Sequence, residues 1–382
     1  MNDLPKIFDS FSDSRKKGFI TIKNLKDEGR KVVGTFCTFT PWEIINASGA
    51  VSVSLCAKSD ETIEDAEKYL PRNLCPLIKS SYGFAVTDKC PYFYFSDLIV
   101  GETTCDGKKK MYEYLSEIKN VHVMQLPQTS KGENSFKLWK DEILKFKSVL
   151  EREFNVSITE QKIRESIKIR NEERKALMKL SALGKMDPPP ITGLEMLRVL
   201  SGASFKWDKK TEIEEIYNLI DDVVKKQEGG EKKVPQNAKR ILITGCPLGE
   251  ATEKIINAIE GNGGVVVCYE NCTGIKEISK LVDEEKEPID ALTEKYLNIG
   301  CSCMTPNDNR TNLICQLIEE YKVDGVVDVI LQACHTYSVE SYGVKKVVTE
   351  EEGIPYISIE TDYSQTDIGQ IKTRMAAFIE ML

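Results

Sequence analysis

Histidine is scarce in this sequence, which has two among 382 residues, whereas cysteine occurs twelve times. The sequence also contains no CxxC pair of the zinc-binding type and no ferredoxin-type CxxCxxC run. The closest pair is Cys301 and Cys303. Spacing alone therefore leaves two interpretations open: small thiols packed in a core, or metal ligands that the fold brings together from distant parts of the chain.

Long apolar runs and an excess of positive charge are also missing. No run approaches the roughly 20 residues of a membrane span, and the segment MNDLPKIFDSFSDSRKKGF has no apolar core of a signal peptide. The net charge of −8 argues against a general nucleic-acid binder. We therefore expect a soluble cytoplasmic protein without nucleic-acid or membrane partners, in which reducing conditions disfavour disulfides.

Several common catalytic motifs do not occur. There is no GxxxxGK[ST] loop for ATP, no GxGxxG, no HExxH and no GxSxG. A cysteine–histidine catalytic pair is disfavoured as well. His335 adjoins Cys334 in sequence, where side chains seldom face each other, and His122 lies in an alternating, strand-like segment.

Apolar segments alternate with helical patterns in two stretches, which predicts an α/β fold of two doubly wound parallel-sheet domains. In the first stretch we expect strands at 31–37, 50–55, 98–100 and 121–125, and helices at 61–69 and 107–118. In the second we expect strands at 241–245, 264–268, 325–330 and 355–359, and helices at 250–260, 288–297, 309–321, 338–349 and 368–382.

A helical region separates the two stretches. Residues 137–183 are polar with a helical period and contain neither Pro nor Gly, and residues 227–239 have the composition of a linker. Helical signals also occur at 191–200 and 211–226. The predicted division is an N-terminal α/β domain (1–135), a helical region with linker (136–235) and a C-terminal α/β domain (236–382).

Most of the cysteines fall where a strand ends and a loop or helix begins. Ligands collect outside the carboxyl ends of parallel strands, so two facing sheets would bring these thiols together. Converging thiolates with almost no imidazole favour an iron–sulfur cluster held between the domains. The expected ligands are Cys75, Cys105, Cys246, Cys272, Cys301, Cys303 and Cys334.

Other residues near these loops have more ordinary interpretations. Cys56, Cys268 and Cys315 lie in apolar runs, and we expect them to be small core residues. Asp106 and Asn307 are expected N-caps of the helices that follow Cys105 and Cys303. The three lysines at 108–110 are expected on a solvated helix face.

Motifs along almost the whole chain resemble the 2-hydroxyacyl-CoA dehydratase and benzoyl-CoA reductase superfamily. The extra cysteines make the chain most similar to the double-cubane cluster protein branch. The motifs are GTFCTFTPWEIINASGAVSVSLC (34–56), NLCPLIKSSYGF (73–84), DLIVGETTCDGKKKMYEYL (97–115), ILITGCPLG (241–249), YENCTG (269–274), GCSCMTPNDNR (300–310), DGVVDVILQACHTYSVES (324–341) and GIPYISIETDYSQTDIGQIKTRMAAFIEML (353–382).

The resemblance implies a ligand set. In dehydratase subunits three cysteines hold one 4Fe–4S cluster, and they correspond by motif to Cys75, Cys105 and Cys334. The double-cubane branch joins two cubanes through a sulfide and uses six cysteines. Three more ligands would then come from Cys246, Cys272, Cys301 and Cys303, of which Cys246 ranks lowest and no choice between Cys301 and Cys303 is made. Cys37 and Cys90 remain outer-shell candidates.

The resemblance also implies partners and a reaction. A separate ATP-hydrolysing activator with its own 4Fe–4S cluster would donate low-potential electrons, and a homodimer with an 8Fe–9S double cubane would reduce a small unsaturated substrate. The alternative is a 2-hydroxyacyl-CoA dehydratase subunit with a single 4Fe–4S cluster. A third interpretation is a non-catalytic binding protein with core cysteines. Glu102, Glu270 and His335 are candidate catalytic groups that would donate protons or hydrogen bonds near the cluster; otherwise they are turn residues.

Overall fold

The computed structural model describes residues 6–249 and 252–382, with side chains from residue 17 onward. Residue 250, where we expected a helix to begin, lies outside the described residues. Within them, no helix is both long and apolar enough to cross a membrane.

The N-terminal half is a four-stranded parallel sheet with strand order β2-β1-β3-β4. Its strands are β1 (Val32–Thr35), β2 (Val51–Ser54), β3 (Leu98–Glu102) and β4 (Val121–Met124). Every residue of β3 is buried, which is typical of a central strand covered on both faces. The accompanying helices are α1 (Lys6–Asp27), α2 (Trp42–Ala47), α3 (Ile63–Ala66), α4 (Pro76–Val86), α5 (Pro91–Phe95) and α6 (Asp106–Leu115).

A helical segment follows the first sheet. It consists of α7 (Glu133–Phe154), α8 (Glu160–Ser181), α9 (Gly193–Ala203) and α10 (Lys209–Glu228). The helical pattern over 137–183 corresponds to two helices. Helix α7 ends at Phe154, Asn155 follows it with a left-handed backbone (φ 52°), and Thr159 caps α8. The proposed domain boundary after residue 135 falls inside the first turn of α7.

The C-terminal half is a second four-stranded parallel sheet with strand order β6-β5-β7-β8. Its strands are β5 (Lys239–Gly245), β6 (Gly264–Glu270), β7 (Gly325–Leu331) and β8 (Tyr356–Thr361). Its helices are α11 (Glu253–Glu260), α12 (Ile275–Ile278), α13 (Pro288–Leu297), α14 (Asp308–Glu320), α15 (His335–Lys346) and α16 (Ile368–Met381). The predicted α/β class with two doubly wound parallel sheets is confirmed.

Some predicted helices differ from the observed ones. The helix expected at 61–69 is the short α3, and the helix expected at 338–349 begins earlier, at His335, and continues as a π-helical turn, Val347–Glu351. Helices α4 and α5 were not predicted, although each begins with a proline at its first position, where the missing N–H costs nothing.

The helical segment touches both halves of the molecule. Helix α8 packs against α2 beside the first sheet and against α12 beside the second, while α9 packs against α1 and β6. Polar contacts also cross directly between the halves: Trp42 N–H donates to Tyr296 Oη (3.3 Å) and Lys58 Nζ donates to the Leu248 carbonyl. The carboxyl ends of the two sheets therefore border a common cleft.

Candidate metal centre

A cavity of about 1090 Å³ lies between the carboxyl ends of the two sheets. Its wall includes loops that follow β1, β2, β3, β6 and β7, so both halves of the chain contribute. All twelve cysteines are free thiols. Eight of them line this cavity: Cys37, Cys56, Cys75, Cys105, Cys272, Cys301, Cys303 and Cys334.

Cys75, Cys246 and Cys334 form one group of thiols. Cys334 receives hydrogen bonds from the other two, and these bonds lower its pKa to about 3 despite its burial. The pKa of Cys75 is raised by its bond to Cys334 and by burial. The pKa of Cys246 is raised mainly by burial and also by its bond to Cys334. Cys246 lies behind the cavity wall, where its Sγ accepts the Leu331 N–H at 3.3 Å. This group is therefore suited to hold negative charge on Cys334.

Cys272, Cys301 and Cys303 form a second group of thiols that line the cavity. The Cys303 thiol donates to Cys301, and this bond, with help from the Lys276 charge, lowers the pKa of Cys301 to about 6 although burial opposes it. Asn307 Nδ2 donates to the Cys301 carbonyl at 2.9 Å and so fixes the loop that presents both thiols. Both cysteines of the CxC sequence thus face one cavity.

The pKa of the Cys105 thiol is affected by sulfurs of both groups. Burial raises its pKa, while the Lys108 backbone N–H and ammonium oppose this, and the nearby sulfurs of Cys334 and Cys301 add to the increase. One residue from each group therefore influences the same thiol.

Three of these cysteines occupy the N-cap positions of helices. Cys75 precedes α4, Cys105 precedes α6 and Cys334 precedes α15. None of the three sulfurs makes a side-chain cap hydrogen bond, but backbone N–H groups of the first turn, among them those of Ile78, Lys108 and Tyr337, act to lower the pKa of the thiol that precedes them. Helix N-termini carry partial positive charge, so all three positions favour thiolates and an anionic ligand.

Of the two predicted N-caps, Asn307 is confirmed and Asp106 is wrong. Asp106 is not an N-cap, because Cys105 takes that position and Asp106 is the first helical residue. Asn307 is the N-cap of α14, as expected, but its side chain makes no cap bond and instead contacts the Cys301 carbonyl and Glu340.

The expectation that the three lysines at 108–110 lie on a solvated helix face is wrong for Lys108. Its side chain is buried, and Nζ lies 2.8 Å from Cys37 Sγ, 3.9 Å from Cys56 Sγ and 3.5 Å from the Phe36 carbonyl. Lys109 and Lys110 are exposed and pair with acidic residues on α6, as expected. Because the helix begins at the cavity, its third residue points inward.

The remaining cysteines divide between the cavity and the core. Cys56, expected to be a core residue, lines the cavity and donates to the Phe36 carbonyl. Cys268 is buried in β6, and Cys315 lies on α14, both away from the cavity. Cys90 is also away from it and caps α5, where its Sγ accepts the Phe93 N–H at 3.4 Å.

The three candidate catalytic groups are placed differently. His335 is exposed and lines the cavity, whereas Glu102 and Glu270 are fully buried and do not line it. Glu102 accepts a 2.6 Å hydrogen bond from Thr40 Oγ1, and burial raises its pKa. Glu270 pairs with Lys276 at 3.1 Å and Arg310 at 3.2 Å. The structure therefore does not bring the three together.

The sequence analysis did not predict two buried cations, Lys276 and Arg310, that lie near the second thiol group. Lys276 Nζ donates to Tyr337 Oη at 3.0 Å, and the Arg310 guanidinium lies 4.8 Å from the centre of the same ring. Lys276 and Arg310 are both buried. Nothing in their sequence surroundings marks them, since each lies in a helix of ordinary polar composition.

The donor set fits a polynuclear cluster better than a single ion. Among the described residues, no three His, Cys, Asp or Glu side chains converge closely enough for one metal ion. In an iron–sulfur cluster, each bound iron takes its own thiolate, so the ligand sulfurs surround a volume. A large cavity with eight thiols, three helix N-termini and buried cations matches an anionic, sulfur-rich cluster.

Comparisons with known proteins agree along nearly the whole chain. The family model described as the D-component of 2-hydroxyglutaryl-CoA dehydratase matches residues 37–382. A protein of Escherichia coli (strain K12) described as "Putative dehydratase subunit YjiM" is 57% identical over 382 residues, covering 100% of this chain and 99% of that one. The (R)-phenyllactyl-CoA dehydratase beta subunit of Clostridium sporogenes is 26% identical over the full length of both chains. A benzoyl-CoA reductase subunit of Thauera aromatica is 19% identical over 93% of this chain and 92% of its own length.

Proposed function

Because the chain belongs to the 2-hydroxyglutaryl-CoA dehydratase D-component family, we propose that it is an iron–sulfur reductase component with an 8Fe–9S double cubane. It accepts low-potential electrons from an ATP-hydrolysing activator with its own 4Fe–4S cluster and reduces a small unsaturated molecule. We also propose that it is cytoplasmic and works as a homodimer. Family membership confirms the superfamily resemblance.

The number and arrangement of the thiols carry this proposal. A single cubane of the dehydratase type needs three protein thiolates, corresponding to Cys75, Cys105 and Cys334. Here a second group, Cys272, Cys301 and Cys303, lines the same cavity, and Cys105 is electrostatically coupled to Cys334 and to Cys301. Two dense groups in one cavity support two joined cubanes.

The structure also favours one choice among the extra ligands. Cys272, Cys301 and Cys303 line the cavity, whereas Cys246 lies behind its wall with its sulfur hydrogen-bonded to Cys334 and to the Leu331 N–H. We propose Cys246 as a supporting residue that orients Cys334. The six proposed ligands are Cys75, Cys105, Cys272, Cys301, Cys303 and Cys334.

When bound, such a cluster supplies one-electron transfer at low potential. The chain's own residues bind it with thiolates and limit its contact with water. Their helix N-termini and the nearby buried cations offset part of its negative charge. His335, exposed at the cavity wall, is placed to donate a proton to a substrate there.

A second function has its own support. The Escherichia coli relative carries a dehydratase name, and so does the Clostridium sporogenes relative. The alternative is therefore a 2-hydroxyacyl-CoA dehydratase subunit with one 4Fe–4S cluster on Cys75, Cys105 and Cys334, paired with a different subunit. These names are those of enzyme components, which disfavours a non-catalytic binding protein.

Anaerobic purification followed by iron and acid-labile sulfide analysis per chain tests the proposal, with EPR spectra of the reduced and oxidised protein. About eight iron and nine sulfide per chain support the double cubane, and about four of each favour the dehydratase alternative. A folded, anaerobically prepared protein without iron contradicts both. The variant Cys315→Ser is the matched control, because this thiol lies away from the cavity.

A further inference from the structure

Lys108 is a buried cation in the cavity wall with an unusual set of partners. Its side chain is 6% exposed, and its ammonium contacts the sulfurs of Cys37 and Cys56, the Phe36 carbonyl and the face of the Phe36 ring. Among the residues that the structure describes, no carboxylate forms an ion pair with it. Glu102 interacts with it only through space, and the Glu102 carboxyl is held by Thr40.

Four other buried lysines of this protein have carboxylate partners, whereas Lys295 donates to the Glu277 carbonyl at 2.7 Å. The distances from Nζ to a carboxylate oxygen are 2.8 Å for Lys79 with Glu67, 2.5 Å for Lys254 with Asp367, 3.1 Å for Lys276 with Glu270 and 3.0 Å for Lys209 with Glu173. The pairing is what makes burial of an ammonium tolerable, because an unpaired charge in a low dielectric is costly. Lys108 has no such partner and so needs an anion from the cavity.

The charge of Lys108 reaches the proposed ligands. Lys108 lines the same cavity as the six proposed ligands, and it lies in the first turn of α6, three residues after Cys105. Lys276, a buried cation near the second thiol group, pairs with Glu270 at 3.1 Å. The charge of Lys108, by contrast, has no carboxylate ion pair among the described residues.

We propose that Lys108 is a positioning residue that acts as the counter-charge of the cluster, holding Cys37 and Cys56 at the cavity wall and raising the reduction potential of the centre. The inference rests on the proposed function, since it assumes an anionic cluster in this cavity. Adding an electron adds negative charge, and a fixed positive charge nearby in a low dielectric stabilises the reduced state. Removal of the cation must then make the cluster harder to reduce.

The test is an EPR-monitored redox titration of the iron-loaded protein. Lys108→Met keeps the length of the side chain and removes the charge, and Lys109→Met is the control one residue further along the same helix, with an exposed side chain. We expect Lys108→Met to disfavour one-electron reduction at least tenfold, a shift of about 59 mV to lower potential. The Lys109→Met variant should match the wild type.

A second variant covers the case in which Lys108→Met does not retain iron. Lys108→Gln keeps hydrogen bonding toward the Phe36 carbonyl without the charge, and it is then titrated in place of the Met variant. An unchanged potential in an iron-loaded Lys108 variant overturns the inference and leaves the proposed function intact. Wild-type protein that binds no iron overturns both, so iron analysis separates the two failures.

Discussion

Arg174 and Glu43 form an ion pair of 2.8 Å in which both side chains are fully inaccessible to solvent. Arg174 lies on α8 of the helical segment, and Glu43 lies on α2 beside the first sheet. The same guanidinium pairs with Glu277 on α12, beside the second sheet, at 3.0 Å. One side chain therefore joins all three parts of the molecule at the back of the cavity, which Glu277 lines.

The first prediction concerns Arg174→Met. It leaves the Glu43 carboxylate buried without its cation, so we expect the free energy of unfolding to fall by about 3–5 kcal/mol. Guanidinium denaturation followed by circular dichroism measures this. Lys175→Met, which removes an exposed pair with Glu172 on the same helix, should change stability by less than about 0.5 kcal/mol. Equal effects of the two variants would contradict the structural role given to Arg174.

The pH dependence of stability provides the second prediction. Burial raises the pKa of Glu212 to about 8, and the neighbouring Glu173 adds to this while Lys209 opposes it. Between pH about 5 and 8 the unfolded chain releases a proton that folded Glu212 retains, so stability should fall as pH rises. The loss is at least about 1.4 kcal/mol, the equivalent of one pKa unit.

Glu212→Gln removes this titration, so stability should fall less between pH about 5 and 8 than in the wild type. The measurement is the free energy of unfolding of both proteins at the two pH values. Glu214→Gln, an exposed position on the same helix, should keep the wild-type slope. An equal fall in Glu212→Gln and in the wild type would show that Glu212 is already ionised in the folded protein.

Much of the fold was predictable because local patterns determine it. Runs such as LIVGE in β3 and GVVDVIL in β7 are almost entirely apolar, which marks central parallel strands. The break between α7 and α8 was missed, because it depends on a left-handed Asn155 that a polar helical pattern does not reveal.

The site was predictable only in part. Cysteines at strand ends indicated a common location, because the topology of parallel sheets places those ends together. Lys108 points inward and Arg310 is buried because of the way their helices pack against the rest of the molecule. That packing cannot be predicted from the local amino-acid composition. Glu270 was a candidate catalytic group near the cluster because it lies two residues before Cys272, yet Lys276 and Arg310 enclose it.

Gly245→Ala is the third prediction. Gly245 ends β5 with φ 103°, and an added Cβ would lie 2.2 Å from the Val329 carbonyl oxygen. The left-handed backbone costs a non-glycine residue about 1–3 kcal/mol before any clash, so thermal stability should fall clearly. Gly369→Ala on α16, where an added Cβ meets nothing within 4 Å, should instead be neutral or stabilising by about 0.5–1 kcal/mol. A Gly245→Ala protein as stable as the wild type would contradict this backbone assignment.

The fourth prediction separates ligand from support among the cysteines. Cys303 lines the cavity, whereas Cys246 lies behind its wall. If Cys303 is a ligand, Cys303→Ala should lose about half of its iron or more after anaerobic loading, because an iron without its thiolate is easily released to water. Cys246→Ala removes the hydrogen bond to Cys334 and the acceptor of the Leu331 N–H but no proposed ligand, so iron content should stay near that of the wild type and of the control Cys315→Ser. Its EPR signal should still change, since Cys334 loses a donor and gains electron density. Iron lost from Cys246→Ala but retained in Cys303→Ala would reverse the assignment and make Cys246 the ligand.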